Sequence, residues 1–352
     1  MTVLWRRLPR TADGFFGERI GDIDDAHDDL VARPGIYDEV TRPGIRLTRP
    51  PPGTSISFVP QTTANDITIE YEIIGDLADP ALLLVMGLGA QLTTWPDPFC
   101  AQLADEGFAV VRYDNRDVGL SQKFEDAGTP DVGDILGALA SGGPVSAPYT
   151  LGDMADDGIA LIEGLGLSPA HIVGASMGGM IVQEMVIRHP GAVRSLCSIM
   201  STTGDRSVGQ PTPEAIAVLL QPPPATRDEV IEAGVRGSRV IGSPRYPTDE
   251  AELRASAARS YDRSYYPQGP ARQIAAILAA EDRTEALGAV DVPTLVIHGD
   301  ADPLVTPSGG EATAKAVPGA EFMMIEGMGH DLPEPLWPEV IPAIVANARR
   351  AG

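Results

Sequence analysis

At 352 residues, the chain amounts to roughly two domains, or one large α/β domain with an insertion, at about 150 residues per domain. Its composition is 43% hydrophobic and 21% charged, with 38 Gly and 32 Pro, which points to a folded, soluble protein and excludes collagen, coiled coil and wholesale disorder. The net charge is −23, only Lys123 and Lys315 among the 26 basic residues are lysines, and no Lys/Arg run exceeds a pair, so a nucleic-acid backbone would be repelled.

Residues 1–62 form a Pro- and Arg-rich extension (Arg49-Pro50-Pro51-Pro52-Gly53). The residues after Trp5-Arg6-Arg7 include no apolar signal core, since Thr11-Ala12-Asp13-Gly14 interrupts at once, and a cytoplasmic location is expected. Asp22, Asp24, Asp25, Asp28 and Asp29 cluster around His27 but lack the ligand order and central glycine of a calcium loop, so they read as a solvated turn and no metal is expected. No apolar run reaches the ~18 residues of a membrane span.

Strand-length apolar runs then begin. Residues 67–74 alternate, whereas 81–86, 108–113, 171–175, 196–200, 294–298 and 322–325 are continuously apolar, the mark of strands covered on both faces. Helical segments at 97–106, 151–165, 177–189, 309–316 and 335–349 lie between them. This alternation predicts a mostly parallel sheet flanked by helices. The stretch from 203 to 289 carries only helical patterning (213–220, 227–241, 249–259, 271–280) and predicts an inserted helical cap. The expected division is therefore an extension (1–62), a core in two parts (63–202 and 290–352) and a cap (203–289). Cys100 and Cys197, in an expected helix and an expected strand, read as core residues and not as a disulfide.

One motif carries chemistry. In His171-Ile172-Val173-Gly174-Ala175-Ser176-Met177-Gly178-Gly179 a buried strand runs through a G-x-S-x-G turn into a helix, the context that a nucleophile elbow requires. A serine hydroxyl needs a base and a group to orient it. Of the five histidines, only His330 lies in a glycine-flanked loop after a strand (Gly327-Met328-Gly329-His330-Asp331), where it can reach the sheet's carboxyl edge. The acid is expected after the strand at 294–298. Asp302, followed by Pro303, fits better than Asp300, which suits a loop-supporting role. The chain order Ser176, Asp302, His330 is that of an α/β-hydrolase triad.

Two further segments strengthen the likeness: Leu84-Val85-Met86-Gly87-Leu88-Gly89 with Trp95, and Arg112-Tyr113-Asp114-Asn115-Arg116-Asp117-Val118-Gly119-Leu120-Ser121. The chain resembles the α/β-hydrolases over residues 63–350, and within them the actinobacterial serine esterases and lipases of the aclacinomycin methylesterase type. It departs from them at Met86, where many members have His, and at Asp117, where many have Gly. The resemblance implies an α/β-hydrolase fold and an oxyanion hole made by the backbone N–H groups of Leu88 and Met177. Met86, Met180 and Met328 are then candidates for an adaptable thioether-rich pocket.

The expected function is hydrolysis of a small-molecule carboxylic ester, carboxylesterase- or lipase-like, through an acyl-enzyme and with no cofactor. Thioester, lactone, carbon–carbon and perhydrolase chemistries use the same triad and stay open, and a non-catalytic ligand binder is the alternative of a different class. A homodimer is compatible with the sequence, which does not fix the oligomeric state.

Overall fold

The computed structural model describes residues 61–143 and 145–352, together with the backbone of four short strands nearer the N-terminus, β1 (Trp5–Arg7), β2 (Glu39–Arg42), β3 (Ile45–Thr48) and β4 (Ile56–Phe58). The acidic cluster around His27 lies outside the described residues. The remaining strands are β5 (Gln61–Ala64), β6 (Ile67–Ile74), β7 (Ala81–Val85), β8 (Ala109–Tyr113), β9 (Ala170–Ala175), β10 (Val193–Ile199), β11 (Thr294–Gly299) and β12 (Glu321–Ile325). They join in the order β1-β4-β6-β8-β7-β9-β10-β11-β12, with β5 paired to β6. From β8 to β12 the pairings are parallel, and β6 is antiparallel. Between β5 and β6 the two-residue turn Asn65-Asp66 holds both residues at positive φ, 49° and 62°, the geometry that matches strand twist in tight hairpins.

Residue parity within the strands separates two apolar layers. Leu83, Val85, Val111 and Ile172 share one with α3 (Leu151–Gly164) and α4 (Met177–Arg188). Leu82, Leu84, Val110 and Val173 share the other with α1 (Asp97–Asp105) and α11 (Trp337–Arg349). Cys100 and Cys197 are free and buried in the second layer, and burial pushes the Cys100 thiol up to about 12.

Two strands differ from the pattern read in the sequence. The polar residues of β6, Glu70 and Glu72, are buried: Arg112 Nε donates to Glu72 at 2.9 Å, and the Glu70 backbone N–H donates to Ser121 Oγ at 2.9 Å. The alternation of β6 thus marks paired charges and not a wet face. Conversely, β12 is the outer strand, so Phe322 and Met324 are exposed despite its apolar run.

Helix α2 (Val132–Ala140) follows β8 and was not expected from the sequence. Between β10 and β11 lie only helices: α5 (Pro213–Leu219), α6 (Arg227–Ile241), α7 (Glu250–Arg263), α8 (Gln268–Ala279) and the unexpected short α9 (Thr284–Leu287). The caps locate their starts. Thr226 and Glu229 form a reciprocal capping box on α6, and the Asp249 carboxylate accepts from Ala251 and Glu252 at the head of α7. Helix α10 (Ser308–Ala316) follows β11. No helix among the described residues is long and apolar enough to cross a membrane.

Asp117, the departure from the family's glycine, has a φ of 68°, so the backbone keeps the left-handed conformation that glycine would take freely. Its fully buried carboxylate accepts from Arg272 of α8 through Nε and Nη2 at 2.8 and 2.9 Å, from Tyr149 Oη at 2.8 Å, and from the Phe124 N–H at 2.8 Å. Arg272→Met removes the cation and leaves this carboxylate buried without a counter-charge, so urea unfolding should show a loss of about 3–5 kcal/mol. A loss below about 1 kcal/mol would mean that Tyr149 and Phe124 alone satisfy it.

His171 is also buried, at 2.8 Å from Ser195 Oγ and edge-on to Phe108. Burial, with help from Arg194, pushes its pKa down from 6.5 to about 4. The folded chain therefore binds this proton less readily than the unfolded chain. The resulting stability is present above pH 6.5 and lost as pH falls toward 4, by on the order of 3 kcal/mol. Urea titrations from pH 7 to 4 should show a flatter profile for His171→Gln than for wild type; parallel profiles would assign the acid sensitivity elsewhere.

Candidate active site

Strand β9 delivers Ser176 to the carboxyl edge of the sheet, and α4 begins one residue later. The serine backbone sits at φ 58°, ψ −121°, a strained region for a residue with a Cβ. Close packing explains how it is held. A Cβ at Gly174 would collide with the Gly178 carbonyl, and one at Gly178 with the Val85 carbonyl, so strand, helix and the end of β7 meet where only glycine fits. The Ser176 N–H donates to Ile199 O at 2.9 Å, and Ser201 Oγ donates to Ser176 O at 2.8 Å.

The three side chains singled out in the sequence come together here. His330 Nε2 lies 2.8 Å from Ser176 Oγ, and His330 Nδ1 lies 2.7 Å from Asp302 Oδ2. The other Asp302 oxygen accepts the N–H groups of Leu304 and Val305 at 2.9 and 3.0 Å, so the turn after the carboxylate fixes its plane. Burial works against the Asp302 anion, but His298 and His330 on either side outweigh it and draw its pKa down to about 2, keeping it ionised at neutral pH. Asp300 is exposed and accepts the Gly327 N–H at 2.6 Å; it braces the loop that carries His330.

Of the other described histidines, two are engaged elsewhere and His298 flanks Asp302. His171 faces Ser195, His189 lies 2.7 Å from Asp156, and His298 lies 2.8 Å from Val305 O and 3.5 Å from Asp302. Among the described residues no group of three His, Cys, Asp or Glu side chains is placed to hold a metal ion.

The segment after β7 lies against the serine. A Cβ at Gly87 would come within 3.0 Å of Ser176 Cβ, so Leu88 follows directly on the residue in contact with it. Met177, the first residue of α4, is fully buried, and among the described residues neither its N–H nor that of Leu88 has a hydrogen-bond acceptor. Met86 is almost wholly buried and Met328 fully so in the apolar layer of α1 and α11, and Met180 is almost wholly buried in the layer of α3 and α4.

Groups that the sequence did not single out hold these loops. Asn115 Nδ2 donates to Met86 O at 2.8 Å, and the Leu92 N–H donates to Asp114 Oδ1 at 2.7 Å. On the histidine side, the His330 N–H donates to Ile241 O at 2.7 Å, the Gly329 N–H donates to Ser243 Oγ at 2.9 Å, and Asp331 accepts from Ser243. Only Asp114 and Asn115 carried a signal, being part of the recognised Arg112–Ser121 segment. Ser243 lies in a featureless turn.

A family model described as the alpha/beta hydrolase fold matches residues 80–334. Among curated proteins the chain is similar to the rhodomycin D methylesterases DauP of Streptomyces sp. (strain C5), 29% identical with 82% of this chain and 97% of that protein covered, and DnrP of Streptomyces peucetius, 28% identical with the same coverages. Among solved structures it is similar to the esterase RhEst1 from Rhodococcus sp. ECU1013, with a TM-score of 0.64, 20% identity, and 84% of this chain and 99% of that chain covered. It is also similar to a meta-cleavage product hydrolase from Pseudomonas fluorescens IP01, with a TM-score of 0.64, 16% identity, and coverages of 83% and 98%. The elbow after β9, the order of the strands and the matched span agree: the chain belongs to the α/β-hydrolase fold family.

Proposed function

We propose that this protein is a serine hydrolase that cleaves small-molecule carboxylic esters, and that Ser176, His330 and Asp302 are its triad. The observation that carries the reading is the continuous chain of contacts at 2.8 and 2.7 Å from Ser176 Oγ through the His330 ring to Asp302. Methylesterase activity in the two Streptomyces relatives, each matched over nearly its whole length, favours a methyl ester as the first substrate class.

In the proposed reaction, Ser176 Oγ attacks the ester carbonyl carbon while His330 Nε2 takes its proton. The carbonyl π pair moves onto oxygen, where the N–H groups of Leu88 and Met177 receive the charge. Collapse re-forms the carbonyl and breaks the bond to the alkoxy group, which leaves as the alcohol with the proton from His330. Water, deprotonated by the same nitrogen, then attacks the acyl-enzyme, and the acid departs as the serine is restored. Asp302 holds the imidazole in the required tautomer throughout. We place Met86 and Met180 beside the acyl group and leave the fully buried Met328 in the core. The proposed cap spans residues 203–289.

Two measurements bear on this. Hydrolysis of methyl esters and of p-nitrophenyl esters from acetate to palmitate should fall by roughly 10⁴-fold or more in Ser176→Ala, with a mass adduct of the acyl group on wild-type Ser176 only; activity that survives in the variant would remove Ser176 from the mechanism. Asp302→Asn should cut kcat by about 10⁴-fold, whereas Asp300→Asn, which weakens one hydrogen bond to Gly327, should cost under about tenfold. The opposite ranking would move the acid to Asp300.

A further inference from the structure

The first turns of α8 press on the loops after β7 and β8. A Cβ at Gly269 would collide with the Asp117 carbonyl, and one at Gly89 would come within 3.2 Å of the Pro270 ring. Gly89 itself is left-handed, at φ 66°. One helical turn into α8, Gln273 is fully buried and uses both ends of its amide. Its Oε1 accepts the Gly89 N–H at 2.8 Å, and its Nε2 donates to Arg116 O at 2.9 Å.

A second glutamine crosses the same seam in the opposite direction. Gln91 Nε2 donates to the carbonyls of Ser260 and Ser264 at 2.7 and 2.8 Å, and Gln91 Oε1 accepts from Arg263 at 2.7 Å. The segment between β7 and α1 is thus tied to the helical insertion at Gly89 and at Gln91, on either side of a single residue.

We propose that Gln273 is a positioning residue for the oxyanion hole: by holding the Gly89 N–H it fixes the peptide plane next to the Leu88 N–H and keeps that donor aimed at the developing oxyanion. This rests on the reading of Leu88 as an oxyanion donor. The geometry supplies the reason. The N–H of Gly89 is consumed by the glutamine, whereas that of Leu88 has no acceptor among the described residues and follows directly on Gly87, which lies against Ser176. The turn is otherwise held by the Ala90 N–H on Gly87 O at 3.3 Å and by Asn115 on Met86 O, neither of which engages the Leu88 or Gly89 N–H. The effect belongs to the transition state, since a donor misplaced by a fraction of an ångström weakens contact with the oxyanion far more than with the neutral ester. A purely structural role would lower stability or raise KM without selecting the tetrahedral state.

The test compares wild type, Gln273→Met and Gln273→Glu on p-nitrophenyl acetate and on a trifluoromethyl ketone, whose serine adduct carries the oxyanion. Gln273→Met, isosteric but without the amide, should lower kcat by roughly 10- to 100-fold, leave KM within about threefold, and weaken the ketone by the same factor as kcat. Gln273→Glu keeps an acceptor for Gly89 and should recover part of both losses. If Gln273→Met does not fold, Gln273→Asn, one methylene short of Gly89, carries the same comparison. An active wild type with kcat and ketone affinity unaltered in these variants overturns this proposal alone. A wild type that neither hydrolyses esters nor binds the ketone overturns the ester-hydrolase reading with it.

Discussion

The Ser176 backbone lies at φ 58°, ψ −121°, a conformation that costs an L-residue on the order of 1–3 kcal/mol and survives only where its surroundings leave no alternative. They leave none here. The Gly174 backbone touches that of Gly178, which touches the end of β7, so strand, helix and the segment after β7 are locked in mutual contact. Peptide hydrogen bonds to Ile199 and from Ser201 hold the serine from the β10 side. The parallel order β7-β9-β10-β11 then determines which loops arrive at the hydroxyl: the one after β7, the one after β11 with Asp302, and the one after β12 with His330.

Around that fixed point, buried polar pairs join the loop after β8 to α3, α7 and α8. Three neighbouring positions after β8, Asp114, Arg116 and Asp117, are involved. Asp114 meets Arg263, Arg116 meets Asp157 through two bonds of 2.7 Å, Asp117 meets Arg272, and the carbonyl of Arg116 meets Gln273. A buried pair of this kind contributes little net stability compared with an apolar replacement, but removing one partner is expensive. Its value lies in selecting one arrangement of α7 and α8 over the sheet, and so one shape for the space above Ser176.

The legible parts of the molecule were those whose causes are local. A strand read from a continuous apolar run, a glycine-framed serine and the order Ser176, Asp302, His330 each depend on a few adjacent residues, and the matched family model spans them all. Partners far apart in the chain left no trace. Asp117 was unexplained in the sequence because its cation lies 155 positions later, and nothing adjacent to Gln273 distinguishes it from any helical glutamine. Likewise Glu70 and Glu72 mimic a solvated strand face until Arg263 and Arg112 are placed beside them. Helix α2 and the short α9 escaped because the first lies among glycines and the second spans one turn. The outward face of β12 is a property of its place in the sheet and not of its residues.

The scarcity of lysine has a consequence for tolerance to alkali. Every cation in the buried pairs named above is a guanidinium, and despite burial Arg112 is shifted further up by Cys100, Glu72 and Asp97, Arg116 by Asp157, and Arg272 by Asp117 and Tyr266. An ammonium in those positions would be drawn toward losing its proton by desolvation, the direction burial gives half-buried Lys123, whereas arginine stays charged. The guanidinium side of these pairs therefore keeps its charge above neutrality. On the acid side the position reverses, since Asp157, Glu70 and Asp331 are pushed upward by burial and His171 resists taking a proton. Among the pairs named above, burial thus brings Asp157, the carboxylate bound to Arg116, closer to protonation as the pH falls.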